Sequence, residues 1–539
     1  MRKAVVYLLV IVAFGGVLFF YNLGGWDLWN PDEPRYAQVA KEMLSGQGWL
    51  VPHLNSAVYF EKPPFFFWSI AAAAKLLGAM NESAARLPSA IFAVLTLILT
   101  FFMGKRLFNE KVGLFAALIL ATNVEFFWLG RRGGIDVTLT FFTTAAIFLF
   151  YVGFYLQRGR WAFYSLAYCA MALGVLIKAQ VAVIVPLLVV GGYFLIQREF
   201  TFFKDRSHLP GLVLFLTVIG GWIVLTSLSG GKDYVTGLLY HRTTLRFFQG
   251  PSHQRPIYYY LARFPGDFLP WTIFLPSALI YGLSAKGRKR EFLPPFFWFL
   301  VIFVSFSLSK GKREIYLLPL YPAVALMVGY LWNELSLSAE GAEKKLLTVP
   351  LFTMIIISVL AAIGLPIMVA LKGPRYLEHP WEIGVVLGFI LGAGALLCSL
   401  AQRYRRLDLP FYLIVAMMFA LGLYSTARIF PEINPYKSAR PISQAIVSIM
   451  RPGDQLGVYR LQGSEYNYYT GLEKITRAET EEQLNDFLRS PQRIFCIMRK
   501  RHYERLKGGS TLQFYMVLKR QVGHRCLVVI SNRNTDKKM

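Results

Sequence analysis

Thirteen apolar runs of about membrane-spanning length occupy most of the first 427 residues of the chain. A helix of about 20 apolar residues crosses a bilayer and satisfies its own backbone hydrogen bonds while doing so. Of the 539 residues, 55% are hydrophobic and 16% are charged, which is more apolar surface than a soluble fold buries. The sequence therefore predicts an all-α polytopic membrane protein. The runs lie at 4–21, 87–104, 112–129, 137–156, 161–177, 180–197, 210–229, 267–284, 292–309, 314–332, 347–371, 381–401 and 409–427.

The charges of the loops predict how the spans are oriented. Short loops rich in lysine and arginine recur on one side, from Arg2-Lys3 near the N-terminus to 403–406 before the last run. The positive-inside rule assigns these loops to the cytoplasm, so the long segments 22–86 and 230–266 lie together on the outer side. An odd number of spans then predicts a cytoplasmic N-terminus and an extracytoplasmic C-terminus. The apolar segment 65–77 is too short to cross, and we expect it to lie along the membrane interface.

The formal net charge of +26 raises the question of nucleic-acid binding. A nucleic-acid-binding protein gathers its basic residues on one face or domain. Here they are scattered through the loops and the C-terminal tail, a distribution that suits anionic lipid headgroups better. We expect membrane lipids as partners and no nucleic acid.

The composition changes after residue 429, where apolar runs give way to short strand-like segments and a polar helix at about 479–489. This pattern predicts a small α/β domain over 430–539, following a transmembrane domain over 1–429 that carries the candidate catalytic residues. Cys496 and Cys526 fall in two of the predicted strands. They either form a disulfide or remain as two free thiols.

Charged residues are rare within the runs and concentrate at their outer ends. The first outer loop carries Asp32 and Glu33 between Pro31 and Pro34, a setting that favours a rigid turn. Ionisable groups beside a bilayer are costly and persist where they do chemistry or bind a ligand. We therefore predict that Asp32 and Glu33 are catalytic, as a general base or as carboxylates that balance a cationic transition state. For Asp32 the alternative is a helix N-cap or turn residue. Asp136 is a further catalytic candidate, with a helix N-cap as the alternative.

Basic side chains near the same face suit a phosphate group, because charge-assisted hydrogen bonds gain strength where water is partly excluded. Any one of them could instead be a membrane anchor whose charged end reaches the headgroups. Gly311 favours a ligand-binding loop at Lys312, since a glycine lets the backbone approach a ligand closely. The candidates are Lys62, Arg246, Lys312 and Arg313.

Glu61 and His253 provide an oxygen and a nitrogen ligand on the outer side of the membrane. Such ligands suit a divalent cation, Zn²⁺ or Mn²⁺. A histidine bonded to a headgroup or to the loop backbone explains His253 nearly as well. The sequence thus predicts a metal site of two separated ligands, with this simpler alternative.

An enzyme and a transporter distribute their charges differently. A lipid or sugar transporter keeps charged residues near the bilayer midplane and has broken helices in corresponding halves. This chain carries acids and bases of both signs at its outer rim. The pattern favours an extracytoplasmic active site over a transport pathway.

The motifs of these loops resemble those of the membrane glycosyltransferases of the GT-C class, which use polyprenyl-phosphate sugars. Within that class the chain looks most like the family that transfers 4-amino-4-deoxy-L-arabinose to lipid A. The likeness runs across the whole chain. It rests on segments in the same order as in that family: Asp32-Glu33-Pro34-Arg35-Tyr36-Ala37, Tyr59-Phe60-Glu61-Lys62-Pro63, Arg246-Phe247 with His253 and Pro256, and Ser309-Lys310-Gly311-Lys312.

The resemblance implies an inverting transfer of a sugar from undecaprenyl phosphate to an acceptor at the outer face of a bacterial inner membrane. Lipid A phosphate is the expected acceptor, and a protein hydroxyl or another glycan, as in protein mannosyltransferases, is the alternative. A phosphate is already a nucleophile, whereas a hydroxyl needs a base, for which Asp32 is the candidate. The resemblance also implies that Asp32 and Asp136 are the two acidic positions of the family. It implies that Tyr59, Lys62 and Arg246 bind the donor phosphate, and that Glu61 and His253 bind zinc.

Overall fold

The computed structural model describes residues 2–156, 158–238, 254–284, 289–338, 341–404, 406–509 and 513–534. Within these ranges, ten helices are long and apolar enough to cross a membrane, or eleven if one bent pair is counted as a span. The chain is thus a multi-span, mainly helical membrane protein, as predicted. The ten helices are Arg2–Phe20, Glu82–Leu107, Ile135–Phe154, Arg160–Lys178, Arg206–Thr236, Arg290–Leu308, Glu314–Ser336, Glu343–Arg375, Pro380–Arg403 and Leu409–Lys437.

All thirteen predicted runs coincide with helices, and three of the runs are not single helices of membrane-spanning length. The run at 112–129 forms two helices, Glu110–Thr122 and Val124–Gly130, which meet at an angle of 72°. Asn123 lies at this break and caps the second helix, since its side chain accepts a hydrogen bond from the backbone N–H of Phe126 at 2.9 Å. The runs at 180–197 and 267–284 correspond to shorter apolar helices, Val181–Ile196 and Trp271–Leu283.

The helices differ in how deeply they are buried. In Glu314–Ser336 the most apolar window is 89% buried, whereas in Glu343–Arg375 only 17% is buried, so the first is central and the second peripheral. Small residues let neighbouring helices approach closely in a membrane. At Gly104 an added Cβ would lie 2.6 Å from the Cα of Gly113. The helices Glu82–Leu107 and Glu110–Thr122 therefore pack backbone to backbone.

The first outer loop folds into two short helices and a hairpin. The helices are Asp32–Leu44 and Phe65–Leu76, and the hairpin pairs β1 (His53–Leu54) with β2 (Ala57–Val58). Glu42 ties the first helix to the hairpin, because its carboxylate accepts hydrogen bonds from the backbone N–H groups of Asn55 and Ser56 at 2.8 and 3.1 Å. The predicted helix near 65–77 is thus present. Outside this loop, further short helices are Thr201–Lys204 and Tyr259–Asp267.

The C-terminal region is an α/β domain, as the sequence predicts. Its mixed sheet has the order β4-β3-β5-β7-β6, in which β3 runs parallel to both β4 and β5, and β7 runs antiparallel to both β5 and β6. Cys496 and Cys526 are free thiols. The strands are β3 (Gln455–Tyr459), β4 (Thr476–Ala478), β5 (Ile494–Arg499), β6 (Tyr515–Val522) and β7 (Arg525–Ser531). The helices are Arg440–Val447, Ser464–Thr470, Glu481–Leu488 and Lys500–Gly509.

The last membrane-length helix continues to Lys437, past the predicted domain limit at 429. The C-terminal domain rests on the first outer loop. Asn55 at the hairpin tip exchanges two hydrogen bonds with the backbone of Ile475, at 2.8 and 2.7 Å. Arg440 pairs with Asp27 at 2.7 Å and also with Glu82. The domain therefore covers the loop that carries Asp32.

Candidate active site

Asp32 opens the Asp32–Leu44 helix, where an acidic side chain is favoured by the positive end of the helix dipole. Its carboxylate pairs with Arg35, one turn further along the same helix. Arg313 approaches from a distant part of the chain, with its Nη2 atom 3.3 Å from Asp32 Oδ2. Two guanidinium groups therefore hold this carboxylate in place.

Arg35 joins Asp32 to the second acidic motif of the loop. Its Nη1 atom lies 3.3 Å from Glu61 Oε2, and the buried hydroxyl of Tyr59 donates to the same oxygen at 3.4 Å. The Nε atom of Arg35 is buried and has no hydrogen-bond partner in the described ranges, so it is a candidate donor for a ligand. These residues with Arg313 form what we call the Asp32 cluster: Asp32, Arg35, Tyr59, Glu61 and Arg313.

Burial and the neighbouring guanidinium groups set the protonation of Asp32 and Tyr59 in this cluster. Burial by itself raises the pKa of Asp32, but the guanidinium groups of Arg35 and Arg313 outweigh it and hold the pKa below its usual value. Burial raises the pKa of Tyr59 well above its usual value, so its hydroxyl stays protonated and donates. Asp32 is therefore a permanent carboxylate and a weak base.

Glu33 has a different environment from its neighbour. Its side chain is 1% exposed and binds Arg86 at 2.8 Å, while the backbone N–H groups of Trp29 and Gly133 donate to it at 2.9 and 3.0 Å. Burial alone would raise the pKa of Glu33. The positive charges of Arg86 and Arg132 outweigh burial and lower the pKa to about 2. This geometry favours a structural role for Glu33 over the catalytic role that we predict from the sequence.

Asp136 forms an ion pair of its own at the start of the Ile135–Phe154 helix. Lys178, at the end of the Arg160–Lys178 helix, lies 2.6 Å from its Oδ1 atom. Asp136 also acts on the Asp32 cluster, because it is one of the carboxylates that raise the pKa of Arg313 against the opposing effect of burial. Arg313 thus lies under the influence of both predicted acidic positions.

Lys312 is placed differently from our sequence prediction. Its side chain is 3% exposed, and its ammonium group donates to the backbone carbonyls of Ser309 and Arg255, the latter at 3.1 Å. The ammonium group thus holds a turn, and its phosphate-binding role stays a prediction from the sequence. The neighbouring Arg313 is the member of this motif that reaches Asp32.

Lys62 is half-buried beside Glu61, and its backbone carbonyl accepts a hydrogen bond from Tyr234 at 2.8 Å. Arg246 and His253 lie outside the described residues, so their predicted roles stay predictions. The described residues contain no group of three or more His, Cys, Asp or Glu side chains that could hold a metal ion. Glu61 is the only predicted metal ligand in those ranges, and it already binds Arg35.

Three residues of the site received less weight from the sequence than the structure gives them. Arg35 could have been found, because its spacing of three from Asp32 on a helix brings the two side chains together. Arg86 and Lys178 could not, because their partners Glu33 and Asp136 lie on other helices. A tertiary ion pair leaves no local signal in the sequence.

Comparison with known proteins supports the resemblance found in the sequence. A family profile described as dolichyl-phosphate-mannose-protein mannosyltransferase matches residues 61–224. An undecaprenyl phosphate-alpha-4-amino-4-deoxy-L-arabinose arabinosyl transferase of Edwardsiella ictaluri is 30% identical over 480 residues, covering 86% of this chain and 83% of the relative. The protein of the same name from Pseudomonas aeruginosa (strain LESB58) is 30% identical over 411 residues, covering 74% of this chain and 71% of the relative.

The fold has a counterpart among solved structures. The crystal structure of ArnT from Cupriavidus metallidurans bound to undecaprenyl phosphate superposes with a TM-score of 0.81 at 22% identity, covering 98% of both chains. At this identity the match shows the fold, and the curated relatives show the family. The chain therefore belongs to the undecaprenyl phosphate-alpha-4-amino-4-deoxy-L-arabinose arabinosyl transferase family and is a membrane-embedded glycosyltransferase.

Proposed function

We propose that this protein transfers 4-amino-4-deoxy-L-arabinose from undecaprenyl phosphate to a phosphate of lipid A, with inversion at the sugar. The names of its relatives support the donor. The reaction would take place at the outer face of a bacterial inner membrane, with the N-terminus in the cytoplasm and the C-terminal domain in the periplasm. The loop charges of the sequence support this orientation.

The observation that carries the choice of acceptor is the Asp32 carboxylate, which Arg35 and Arg313 hold ionised. An efficient general base has a pKa near the working pH, whereas Arg35 and Arg313 hold the pKa of Asp32 below its usual value. A phosphate acceptor is already deprotonated and needs no base. Asp32 would then balance the positive charge that develops on the sugar, a role that a fixed carboxylate fills well.

Undecaprenyl phosphate is the leaving group of the transfer, so negative charge develops on its phosphate as the bond to the sugar breaks. Lys62 and Arg246 are our candidates for binding that phosphate, together with the unpartnered Nε atom of Arg35. Preorganised donors of this kind stabilise a developing charge without rearranging during the reaction. Tyr59, held by its hydrogen bond to Glu61, would help to orient the donor phosphate.

A divalent cation at Glu61 and His253 stays a prediction from the sequence. The described residues do not by themselves fit a complete metal site, because Glu61 is engaged by Arg35 and Tyr59. No step of the proposed reaction depends on the cation. The metal content of the purified protein measures its presence directly.

A second candidate function is the transfer of a lipid-linked sugar to a protein hydroxyl or another glycan. The match of residues 61–224 to the mannosyltransferase profile favours it. A hydroxyl acceptor would need a base with a higher pKa than Asp32 has. The two functions therefore differ in the acceptor and in the demand for a base.

The test is transfer by the purified protein from radiolabelled undecaprenyl-phosphate aminoarabinose to lipid A, with dephosphorylated lipid A and a peptide acceptor as alternatives. We expect labelled lipid A only where the phosphate is present. Asp32→Asn should lower kcat/KM by about 100-fold or more, and Lys62→Ala should raise the donor KM.

The matched control is Asp486→Asn, which replaces a carboxylate by a carboxamide at an exposed position of the C-terminal domain and should keep full activity. Retained transfer in both Asp32→Asn and Lys62→Ala would remove the proposed site. Labelling of the peptide in place of lipid A would favour the second candidate function.

A further inference from the structure

A cavity of about 280 Å³ lies where the C-terminal domain meets the first outer loop. Asn30 and Pro31 of the loop form one wall, and Pro31 directly precedes Asp32. The opposite wall comes from the sheet of the C-terminal domain. We call this cavity the arginine pocket, because its lining includes Arg460, Arg477, Arg499 and Arg525.

The arginine pocket occupies the position in the sheet where α/β domains commonly bind ligands. Arg460 directly follows β3, Arg477 lies within β4, and Arg499 ends β5, and these three strands are parallel. The strands that follow β3 in the chain flank it on opposite sides, so the strand order reverses at β3. Ligands bind outside the carboxyl ends of parallel strands at such a switch point.

The positive charge of the arginine pocket is only partly neutralised. Arg477 pairs with Glu479 at 2.5 Å, and Glu465 accepts a hydrogen bond from Asn30 at 3.0 Å. The Nε atoms of Arg499 and Arg525 are buried and have no hydrogen-bond partner in the described part of the chain. Unpaired buried donors cost free energy, so their presence in a cavity indicates a missing acceptor.

Two further features are typical of a ligand site. Burial and the nearby charges of Arg525 and Arg501 lower the pKa of Arg499, so the guanidinium groups repel one another without an anion. Arg460 has a left-handed backbone, with φ of 52°, at the edge of the cavity. Residues with such backbone angles cluster at ligand sites, where the surroundings hold them in place.

We infer that the arginine pocket binds a phosphate-bearing carbohydrate headgroup of the acceptor, through a phosphate that does not itself react. Its volume is near the lower end of the roughly 300–1,000 Å³ of small-molecule pockets, enough for one phosphorylated sugar. A charged, polar lining excludes an acyl chain. Asn30 and Pro31 line the pocket and directly precede Asp32 in the chain, so the pocket adjoins the loop that carries the candidate catalytic carboxylate. The inference rests on the proposed function, because it names a binding site for that acceptor.

The first experiment measures binding without catalysis. Full-length protein in nanodiscs is titrated with glucosamine 1-phosphate, with inorganic phosphate and, separately, with glucosamine as probes. We expect both phosphate compounds to bind and glucosamine not to bind. Arg499→Gln combined with Arg525→Gln should weaken the binding by about tenfold or more, because two charge-assisted hydrogen bonds are lost.

The matched control is Arg489→Gln, which removes the same charge from an exposed position of the same domain. Equal weakening in this variant, or unchanged binding in the double variant, would overturn the arginine pocket as a phosphate site. Arg499→Lys keeps the charge and guards against misfolding. It should bind the probe at an intermediate strength and keep the wild-type Tm.

The second experiment separates a free phosphate compound from the lipid acceptor. In the transfer assay the double variant should raise the KM for lipid A by about tenfold or more and leave the donor KM within about twofold. An unchanged acceptor KM with weakened probe binding would overturn the acceptor assignment. Absence of transfer by the wild-type protein would contradict the proposed function, while the binding result would still judge the phosphate site.

Discussion

Asp32 and Glu33 are neighbours in the sequence with opposite environments in the structure. Successive residues of a helix point about 100° apart, so one carboxylate faces the Asp32 cluster and the other faces Arg86 in the interior. The Glu33 carboxylate holds the start of its helix in place, because it accepts hydrogen bonds from the backbone N–H groups of Trp29, just before the helix, and of Gly133, on a distant segment. At the scale of single residues, an acidic pair thus divides into a candidate catalytic group and a structural one.

We predict that Glu33 stabilises the protein in a pH-dependent way. Its pKa is lowered from 4.5 to about 2 in the folded protein, so its contribution is complete above the ordinary value and is lost as pH falls between the two. The contribution is on the order of 3 kcal/mol. Glu33→Gln should lower Tm at neutral pH, and its deficit against the wild type should shrink in acid.

The measurement is Tm of the detergent-solubilised protein from about pH 7 down to about pH 3. Glu482→Gln, at an exposed position of the C-terminal domain, is the matched control and should follow the wild type throughout. A Tm deficit of Glu33→Gln that stays constant with pH would contradict the role of the ionised carboxylate.

At the scale of elements, the turn between the helices Arg290–Leu308 and Glu314–Ser336 delivers Arg313 to Asp32. Lys312 holds this turn by donating to two backbone carbonyls, and Gln254 pairs with Gly311 alongside it. A small displacement of a positioned group is enough to slow a reaction strongly. Lys312 therefore acts on the site through Arg313 as a positioning residue.

We predict that Lys312→Gln lowers both Tm and kcat, the latter by about tenfold or more, with little change in the donor KM. The cause is the loss of the ammonium group that satisfies the buried carbonyls. Steady-state kinetics and thermal unfolding measure the two effects. Lys310→Gln removes an exposed charge from the same turn and should keep Tm. A rise in donor KM with unchanged Tm would instead support the phosphate role predicted from the sequence.

At the scale of the whole molecule, the C-terminal domain is anchored to the loop that carries the site. The anchors are the ion pairs of Arg440 with Asp27 and Glu82, and the paired hydrogen bonds of Asn55 with Ile475. Leu28 also donates its backbone N–H to the hydroxyl of Tyr469 at 2.6 Å. The domain therefore helps to fix the segment that leads into Asp32.

We predict that Arg440→Ala loosens this contact. The segment 438–454 should be cleaved faster in limited proteolysis with a protease that does not require arginine, because its ion pairs with Asp27 and Glu82 are lost. Transfer should fall as well, since the loop before Asp32 is less restrained. Arg489→Ala is the matched control. Cleavage and transfer at wild-type rates in Arg440→Ala would show that the domain is held elsewhere.

The membrane architecture was predictable because crossing a bilayer is a local property of about 20 residues. Every predicted run is helical, and four of the five strands of the C-terminal domain follow apolar segments, whereas β4 does not. Within the described residues only ten or eleven helices are spans by length and composition, because apolarity does not reveal the 72° bend after Thr122 or the shorter helices at 181–196 and 271–283. The loop motifs likewise led to the glycosyltransferase family, since they are short and contiguous.

The different roles of Asp32 and Glu33 in the site depend on tertiary contacts. Asp32 and Arg313 are 281 residues apart, and Glu33 and Arg86 are 53 apart, yet these contacts determine which carboxylate is available to a substrate. The arginine pocket likewise forms only when strand ends far apart in the chain meet at the edge of the sheet. Periodicity and composition report neighbours along the chain, whereas charge pairing depends on which helices and strands meet in space.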